Sequence, residues 1–396
     1  MSGFRIMLDD CSAHLGLHDM SGRNHHSEPF DESTLVKLDL YRRYMRAWLP
    51  VFLNSRKLKV DKIQIFDFFA GPGHDVDGKS GSPLIALEEI SAALKQDHLN
   101  NPEIHLYLNE MMKGKYDTLV SSCEDSPLKN IVKFHFLSKE FKEAFDLWKP
   151  EIGKNTVACK TASLLFLDQN GTKQITKEVF ADIISASRTD FLFFIASSYI
   201  YRFRTQPYNV EPAPILPQDF DGMTMKNVHR KVCEAYRRLI PTAWRYYLAP
   251  FSIAKDAGSN VYGLIFGSGH PLGMDKFLKI CWDEDPLTGE ANYDIDDDNI
   301  QPGQMTFWEE RPKKIECFER ELKSEIDNKH LRTNVDVYNF ALNRGFRATH
   351  AKTALSKMVK SGHLPSQTFA VSYESCGSKD SIRHPIVVNE RKEKWM

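Results

Sequence analysis

The stretch that most constrains this chain is an apolar run at 65–69, which ends abruptly in a turn containing Gly71 and Gly73. Short runs of Ile and Phe bounded by glycines are typical of buried strands. Ser82-Pro83 and the apolar residues after it predict the start of a helix. In a doubly wound sheet, a turn between strand and helix lets the backbone approach a ligand, and an acidic residue such as Asp67 can accept hydrogen bonds from it.

Further apolar runs follow, each ending in polar residues and separated by segments compatible with helix. This alternation predicts an α/β fold with a doubly wound, mostly parallel sheet. A short turn containing glycine joins the last two runs, which indicates an antiparallel pair. The expected strands after the first are 104–110, 131–137, 163–168, 191–196, 246–252 and 260–266.

The chain of 396 residues is long enough for more than one unit, because a typical domain has roughly 150 residues. Two short amphipathic helices split by a glycine turn, followed by an apolar segment at 385–388, predict a winged helix-turn-helix near the C-terminus. We therefore expect an irregular segment at 1–32, a main domain at 33–283 with an insertion at about 200–245, an acidic linker at 284–312, and a helix with a winged-helix-like domain at 313–396.

Charge and cysteine content exclude several classes of protein. The 52 Lys and Arg residues balance 53 Asp and Glu residues, so no global field favours nucleic acid or a membrane surface. No apolar stretch approaches the roughly 20 residues of a membrane span, and the N-terminal pattern is not that of a signal peptide, so we expect a cytoplasmic protein. The seven cysteines are scattered without a Cys-x-x-Cys pair, which predicts neither a disulfide framework nor a metal site.

The spacing Asp-x-x-x-Gly-x-Gly at 67–73 resembles motif I of class I methyltransferases that use S-adenosylmethionine (SAM). Five parallel strands followed by an antiparallel last strand are also the arrangement of that class, whereas a nicotinamide-binding sheet continues parallel. The resemblance implies SAM as the cofactor, with Asp67, Gly71, Gly73 and Glu110 as its binding residues. Glu110, at the end of the second strand, would accept hydrogen bonds from the ribose hydroxyls.

Several segments together resemble the three-Cys-motif partner protein (TcmP) family, bacterial proteins similar to class I methyltransferases. The three cysteines in that name belong to a partner protein, so the resemblance implies such a partner and a role in modification or defence linked to nucleic acid. The matching segments are Leu38-Asp39-Leu40-Tyr41-Arg42-Arg43-Tyr44 with Trp48-Leu49, residues 67–73, Gly81-Ser82-Pro83-Leu84-Ile85-Ala86-Leu87, Leu108-Asn109-Glu110, residues 168–171, and Gly269-His270-Pro271-Leu272-Gly273 before Trp282.

At the end of the fourth strand the family usually has Asp-Pro-Phe-Gly, but this chain has Asp168-Gln169-Asn170-Gly171. The change removes a proline-fixed carbonyl and an aromatic ring on which a base would stack, which argues against amine methylation. We expect Asp168 and Asn170 to be the catalytic residues, with Asp168 orienting the acceptor. Methyl transfer depends mainly on alignment and requires neither a metal nor a covalent protein nucleophile.

Two basic segments are candidate contacts for the substrate and for nucleic acid. The inserted segment contains Tyr236, Arg237 and Arg238, and we expect it to cover Asp168 and to hold a substrate that carries phosphate. A helix that only covers the sheet is the alternative. In the C-terminal segment, six basic residues across 332–360 accompany one acid, and we expect Arg347, Lys352 and Lys357 to contact phosphates. Many winged helices mediate only protein contacts, which is the alternative there.

Two other functions remain open at this stage. A methyltransferase fold that has lost catalysis could serve as a binding module for nucleic acid or a partner protein, and the altered motif after the fourth strand favours it. A hydrolase or nuclease could use Asp67, Glu110 and Asp168 as metal ligands. Acids at successive strand ends are spread along a groove rather than gathered around one ion, which argues against the second alternative.

Overall fold

The computed structural model describes residues 28–56, 58–156, 159–169, 171–205, 217–255, 260–296, 313–378 and 380–389. Their centre is one seven-stranded mixed sheet with the order β3-β2-β1-β4-β5-β7-β6. The strands are β1 (Lys62–Asp67), β2 (Glu103–Asn109), β3 (Val132–Leu137), β4 (Thr161–Asp168), β5 (Thr189–Ile195), β6 (Tyr247–Lys255) and β7 (Asn260–Ser268).

Strands β1 to β5 are parallel, and β7 pairs antiparallel with both β5 and β6. The predicted doubly wound sheet and its antiparallel last strand are therefore confirmed. The order reverses between β1 and β4, and ligands of open α/β sheets bind at the carboxyl ends of strands at such a switch point. Both Asp67 and Asp168 end strands on the two sides of this point.

Helices cover both faces of the sheet. The described helices are α1 (Glu32–Leu53), α2 (Ser82–Leu94), α3 (Lys113–Glu124), α4 (Phe141–Trp148), α5 (Lys177–Ser185), α6 (Ser197–Arg202), α7 (Val228–Arg237), α8 (Pro271–Glu284), α9 (Lys314–Asp327), α10 (Asn334–Asn343), α11 (Ala348–Lys360) and α12 (Tyr373–Cys376). Helices α1, α2, α3 and α8 share one buried apolar cluster, and α4, α5 and α7 share the other.

The alternation of side chains along a strand decides which face each residue meets. In β1, Ile63 and Ile65 belong to the α1 side, and Phe66 belongs to the α7 side. In β4, Leu164 and Phe166 lie on the α1 side. Two residues further along each strand, Asp67 and Asp168 must therefore face α1.

The C-terminal helices are not a separate body within the described residues. Apolar residues of α9, α10 and α11 belong to the same buried cluster as α1, α8 and β6. The Trp282 indole donates to the carbonyl of Gly345 at 2.9 Å, and Arg245 contacts Asn339. The two predicted helices are confirmed as α10 and α11. In the apolar end, Pro385 forms an isolated bridge with Thr333 and the amide of Ile386 donates to the carbonyl of Arg332 at 2.7 Å, but no strand is assigned at 380–389, so the wing itself stays a prediction.

The expected acidic linker differs from what the structure shows at 285–296. Glu290 lies between two cations, with its carboxylate 2.5 Å from Nε of Arg230 and 2.8 Å from Nζ of Lys314. Asp296 pairs with Arg230 as well. These acids are held against α7 and α9 because each finds a basic partner there, so this part of the segment is packed rather than an exposed linker. Residues 297–312 lie outside the described part of the chain.

Candidate membrane-spanning helices and metal-binding clusters are both absent from the described residues. No described helix is both long enough and apolar enough to span a membrane. Within the same residues, no group of three or more His, Cys, Asp or Glu side chains is arranged to hold a metal ion.

Candidate functional site

The glycine turn after β1 adopts backbone angles that only glycine accepts readily. Gly71 has φ 62° and Gly73 has φ 95°. The amide of Gly81 donates to the carbonyl of Gly73 at 2.7 Å, which closes the loop immediately before α2. A side chain at Gly71 or Gly73 would strain this conformation, so the two glycines fix the path of the backbone at the switch point.

Asp67 is buried at the end of β1, with only 1% of its surface exposed. Its Oδ1 accepts from the amide of Phe69 at 3.1 Å, whereas Oδ2 has no hydrogen-bond partner among the described residues. Burial raises the pKa of this carboxyl to about 7, against the opposing effect of the Ser82 hydroxyl. A buried acceptor without a donor is costly, which points to a donor supplied by a ligand.

Glu110 connects the end of β2 to the glycine turn. Its Oε2 accepts from the amide of Gly71 at 3.0 Å, and its Oε1 accepts from the amide of Met112 at 2.7 Å. A carboxylate oxygen can accept two hydrogen bonds, so each oxygen keeps one lone pair for a further donor. The predicted residues Asp67, Gly71, Gly73 and Glu110 thus lie around one turn at the carboxyl edge of the sheet.

Helix α1 contributes two residues to this edge that the sequence did not single out. Lys37 Nζ lies 2.8 Å from Oδ1 of Asp168. Tyr41 is fully buried, and its hydroxyl also has no partner among the described residues. Burial and the nearby Asp67 raise the pKa of Tyr41. The i, i+4 spacing of Lys37 and Tyr41 on the buried face of α1 is the signal that could have found them.

Asp75 connects the entry of α1 to the glycine turn. Its Oδ2 accepts from the amide of Phe30 at 2.9 Å, and its Oδ1 accepts from the amides of Asp77 and Lys79 at 3.0 and 2.8 Å. The pKa of Asp75 is lowered, because these three backbone amides outweigh the opposing effect of burial. The carboxylate therefore anchors the start of α1 beside the site.

Of the two catalytic candidates, only Asp168 lies in the part of the chain that the structure describes. Asp168 is described and is ion-paired with Lys37, with 24% of its side chain exposed. Asn170 lies outside the described residues. Between them, Gln169 is buried, and its Oε1 accepts from the amide of Gln174 at 2.9 Å. Its Nε2 has no partner among the residues that the structure describes.

The predicted substrate residues on α7 require a correction. Tyr236 is fully buried on the face of the sheet opposite α1, and its hydroxyl donates to the carbonyl of Ile175 at 3.2 Å. It is a core residue, since its ring fills the layer between α7 and the sheet. Arg237 is exposed but donates to the carbonyl of Leu248 at 2.9 Å, and Arg238 forms two hydrogen bonds with Asp219.

The basic residues of the C-terminal helices are partly neutralised. Arg344 pairs with Glu321 and Lys357 pairs with Glu319, both acids being on α9. Arg347 lies 3.9 Å from Asp283. Lys352 is exposed on α11. The count of six basic residues and one acid covered only 332–360. It left out α9, whose acids neutralise basic residues of that segment.

No protein-family model and no curated protein matches the sequence. Solved structures similar to this chain at low identity include the following three. They are plantazolicin methyltransferase BpumL in complex with SAH (8% identity, TM-score 0.28, 59% of this chain and 85% of that chain), the METTL16 methyltransferase domain (9%, 0.28, 60% and 67%), and spermidine synthase from Thermotoga maritima (15%, 0.28, 60% and 60%). The fold is assigned from the strand order of the sheet itself, and no activity follows from these similarities.

Proposed function

We propose that this chain binds SAM at the carboxyl edge of its sheet and belongs among the methyltransferase-like proteins of class I. The observation that supports this most is Oδ2 of Asp67, a buried acceptor without a partner among the described residues, beside a glycine turn. SAM carries an ammonium group and two ribose hydroxyls, which are the donors that such acceptors require.

The residues of the turn have separate tasks in this proposal. Glu110, already held by two backbone amides, would present its remaining lone pairs to ribose hydroxyls. Asp67 would accept from the ligand as an ionised carboxylate. Gly71 and Gly73 keep side chains out of the space that the ligand approaches. When bound, SAM would supply an activated methyl group on its sulfonium.

The first candidate activity is methyl transfer to an acceptor beside Asp168. Alignment of acceptor and methyl group supplies much of the catalysis, so the carboxylate needs only to orient the acceptor. Asp168→Ala should then abolish transfer and leave the affinity for SAM nearly unchanged, the signature of an interaction used in the transition state. A variant with full activity would show that Asp168 does not take part.

The second candidate is a binding module without catalysis, and one contact favours it. Lys37 forms an ion pair with Asp168, so this carboxylate is already engaged by the chain's own cation. Under this alternative the protein binds SAM but transfers methyl to no nucleic acid, small molecule or partner protein. The C-terminal helices would then contact nucleic acid or a three-Cys-motif partner, as the sequence resemblance implies for a modification or defence system.

Calorimetric titration of the full chain with SAM and with S-adenosylhomocysteine tests the binding proposal. We expect Glu110→Ala to weaken binding by about 1 to 3 kcal/mol, the usual scale for leaving polar groups unpaired. Asp117→Asn, a change on the exposed side of α3, is the matched control and should leave the affinity unchanged. Absence of both heat and thermal stabilisation at saturating ligand would contradict the proposal.

A further inference from the structure

The ammonium group of Lys37 lies among one carboxylate and two aromatic rings, next to the proposed cofactor site. The residue is 9% exposed although it carries a formal charge. Its Nζ lies 2.8 Å from Oδ1 of Asp168, 5.2 Å from the ring centre of Phe194 and 5.1 Å from the ring centre of Tyr262. Three different strands, β4, β5 and β7, therefore supply the groups that surround one ammonium.

This set of groups has the chemistry of a cation site. A carboxylate supplies the counter-charge, and the faces of aromatic rings attract an ammonium through their quadrupoles within about 6 Å. The Phe194 ring is fixed by its surroundings, since it is 1% exposed and packs on Phe166 with ring centres 5.4 Å apart, and Tyr262 is partly buried against the same apolar cluster. The strands hold Asp168, Phe194 and Tyr262, whereas Lys37 reaches them from α1, a separate element.

We propose that Asp168, Phe194 and Tyr262 form a binding site for a primary ammonium group, and that Lys37 is its internal occupant. A ligand with a primary alkylammonium group takes the same place when the Lys37 side chain is absent. The site lies beside the proposed cofactor site but does not require SAM, so its test is independent of methyl transfer.

The test is chemical rescue of a shortened side chain in the full-length protein. Lys37→Ala leaves Asp168 without its cation and, because Ala keeps Cβ, opens the space of a propylamine chain. n-Propylammonium chloride should raise the melting temperature of this variant and recover about half or more of the loss that the substitution causes. Wild type should not respond beyond an equal concentration of sodium chloride, which controls for ionic screening.

Three comparisons separate a cation site from simple cavity filling. 1-Propanol, which has the same chain without the charge, should rescue Lys37→Ala much less than n-propylammonium. The double variant Lys37→Ala/Asp168→Asn should lose the response to n-propylammonium. Lys113→Ala removes an exposed lysine paired with Asp117 and should show neither the loss nor the rescue.

A second variant keeps the proposal testable if Lys37→Ala does not fold. Lys37→Met preserves the length of the side chain and removes its charge, so it should melt below wild type, whereas Lys37→Arg should fall between the two. Equal stability of Lys37→Met and wild type would overturn the proposal. Rescue of Lys37→Ala by 1-propanol to the same extent as by n-propylammonium would overturn it as well.

Discussion

Asp67 is a buried carboxyl at the proposed SAM site whose pKa lies near neutrality. Burial raises its pKa to about 7, while the carboxylates of Asp168 and Glu110 also oppose its ionisation and the groups of Ser82 and Phe69 favour it. In the free protein the carboxyl is therefore mostly protonated at pH 6. A ligand that brings a cation next to Oδ2 favours the ionised form and lowers the pKa.

We predict that SAM binding releases about one proton near pH 6 and becomes tighter as the pH rises from 5 to 6.5. The affinity for SAM rises with pH because the free protein holds a proton on Asp67 that the complex releases. Titration calorimetry in buffers of different ionisation enthalpy measures the released proton directly. Asp67→Asn cannot ionise, so its affinity should be lower and nearly independent of pH over this range. Proton release that persists in Asp67→Asn would assign the effect to another group.

The site could be predicted in part at the level of single residues. Asp67 and Glu110 end apolar runs, and parallel strands bring such ends to one edge, so their neighbourhood follows from the pattern. The i, i+4 spacing of Lys37 and Tyr41 marks them as neighbours on one face of α1, but it does not tell which strand ends the helix crosses. The ion pair of Lys37 with Asp168 and the position of Tyr41 near Asp67 come from packing across the sheet, which local patterns do not determine.

Helix α7 and strand β7 meet at a position where only glycine fits. A Cβ on Gly263 would lie 1.8 Å from Nδ1 of His229. Burial lowers the pKa of His229 to about 4, so the ring is neutral. Its Nδ1 accepts from the Ser197 hydroxyl at 2.8 Å, and its Nε2 donates to the carbonyl of Leu264 at 2.8 Å.

We predict that Gly263→Ala destabilises the protein by about 1 to 3 kcal/mol, the usual cost of overpacking a core. The added methyl group must displace the His229 ring and disturb both of its hydrogen bonds. Urea unfolding followed by circular dichroism gives the free energy of unfolding. Gly114→Ala is the matched control, because no neighbouring atom lies within 4 Å of its Cβ position. Equal stability of the two variants would show that the ring moves without cost.

The predicted placement of α7 over Asp168 failed because of how this helix is connected to the sheet. Its basic and aromatic residues predicted a cover over Asp168, but the helix places its apolar stripe, including Val232 and Tyr236, on the face opposite α1. The sequence predicted the helix but not its buried side, since Tyr236 was expected to contact substrate and is a core residue instead. Which face of the sheet a connecting helix covers depends on the path of the connection, and part of that path, 206–216, lies outside the described residues.

For the whole molecule, Glu290 connects parts that are distant in sequence. Only 13% of its side chain is exposed, and it pairs with Arg230 of α7 and Lys314 of α9. Although burial opposes ionisation, these two cations lower the pKa of Glu290, so it is charged at neutral pH. The ion pairs and the shared apolar cluster make the C-terminal helices part of the same packed body as the sheet.

We predict that Glu290→Gln destabilises the whole protein by about 3 to 5 kcal/mol, because it removes the buried acid partner of Lys314 and one of the two acid partners of Arg230. Unfolding should remain a single transition when fluorescence and circular dichroism are compared, since both parts share one core. Glu319→Gln removes a more exposed pair with Lys357 and should cost less than about 1 kcal/mol. Two separate transitions would mean that the C-terminal helices fold independently.

Contact between the C-terminal helices and nucleic acid depends on the positive charges that the acids of α9 do not neutralise. Glu319 and Glu321 neutralise Lys357 and Arg344, whereas Lys352 is exposed and Arg347 lies 3.9 Å from Asp283. If the C-terminal helices contact phosphates, affinity of the full chain for duplex DNA should fall linearly on logarithmic axes as salt increases.

Arg347→Ala with Lys352→Ala should reduce the magnitude of this salt slope by about 2, because each phosphate contact contributes about 0.9. Glu319→Gln with Glu321→Gln should steepen the slope, because it releases two cations from their ion pairs. Lys113→Ala with Lys142→Ala, on α3 and α4, also removes two positive charges and should leave the slope unchanged. Fluorescence anisotropy with labelled duplex between 50 and 200 mM salt, roughly the range over which counterion release is measurable, provides the test. Binding that does not depend on salt, or no binding, would favour a partner protein at these helices.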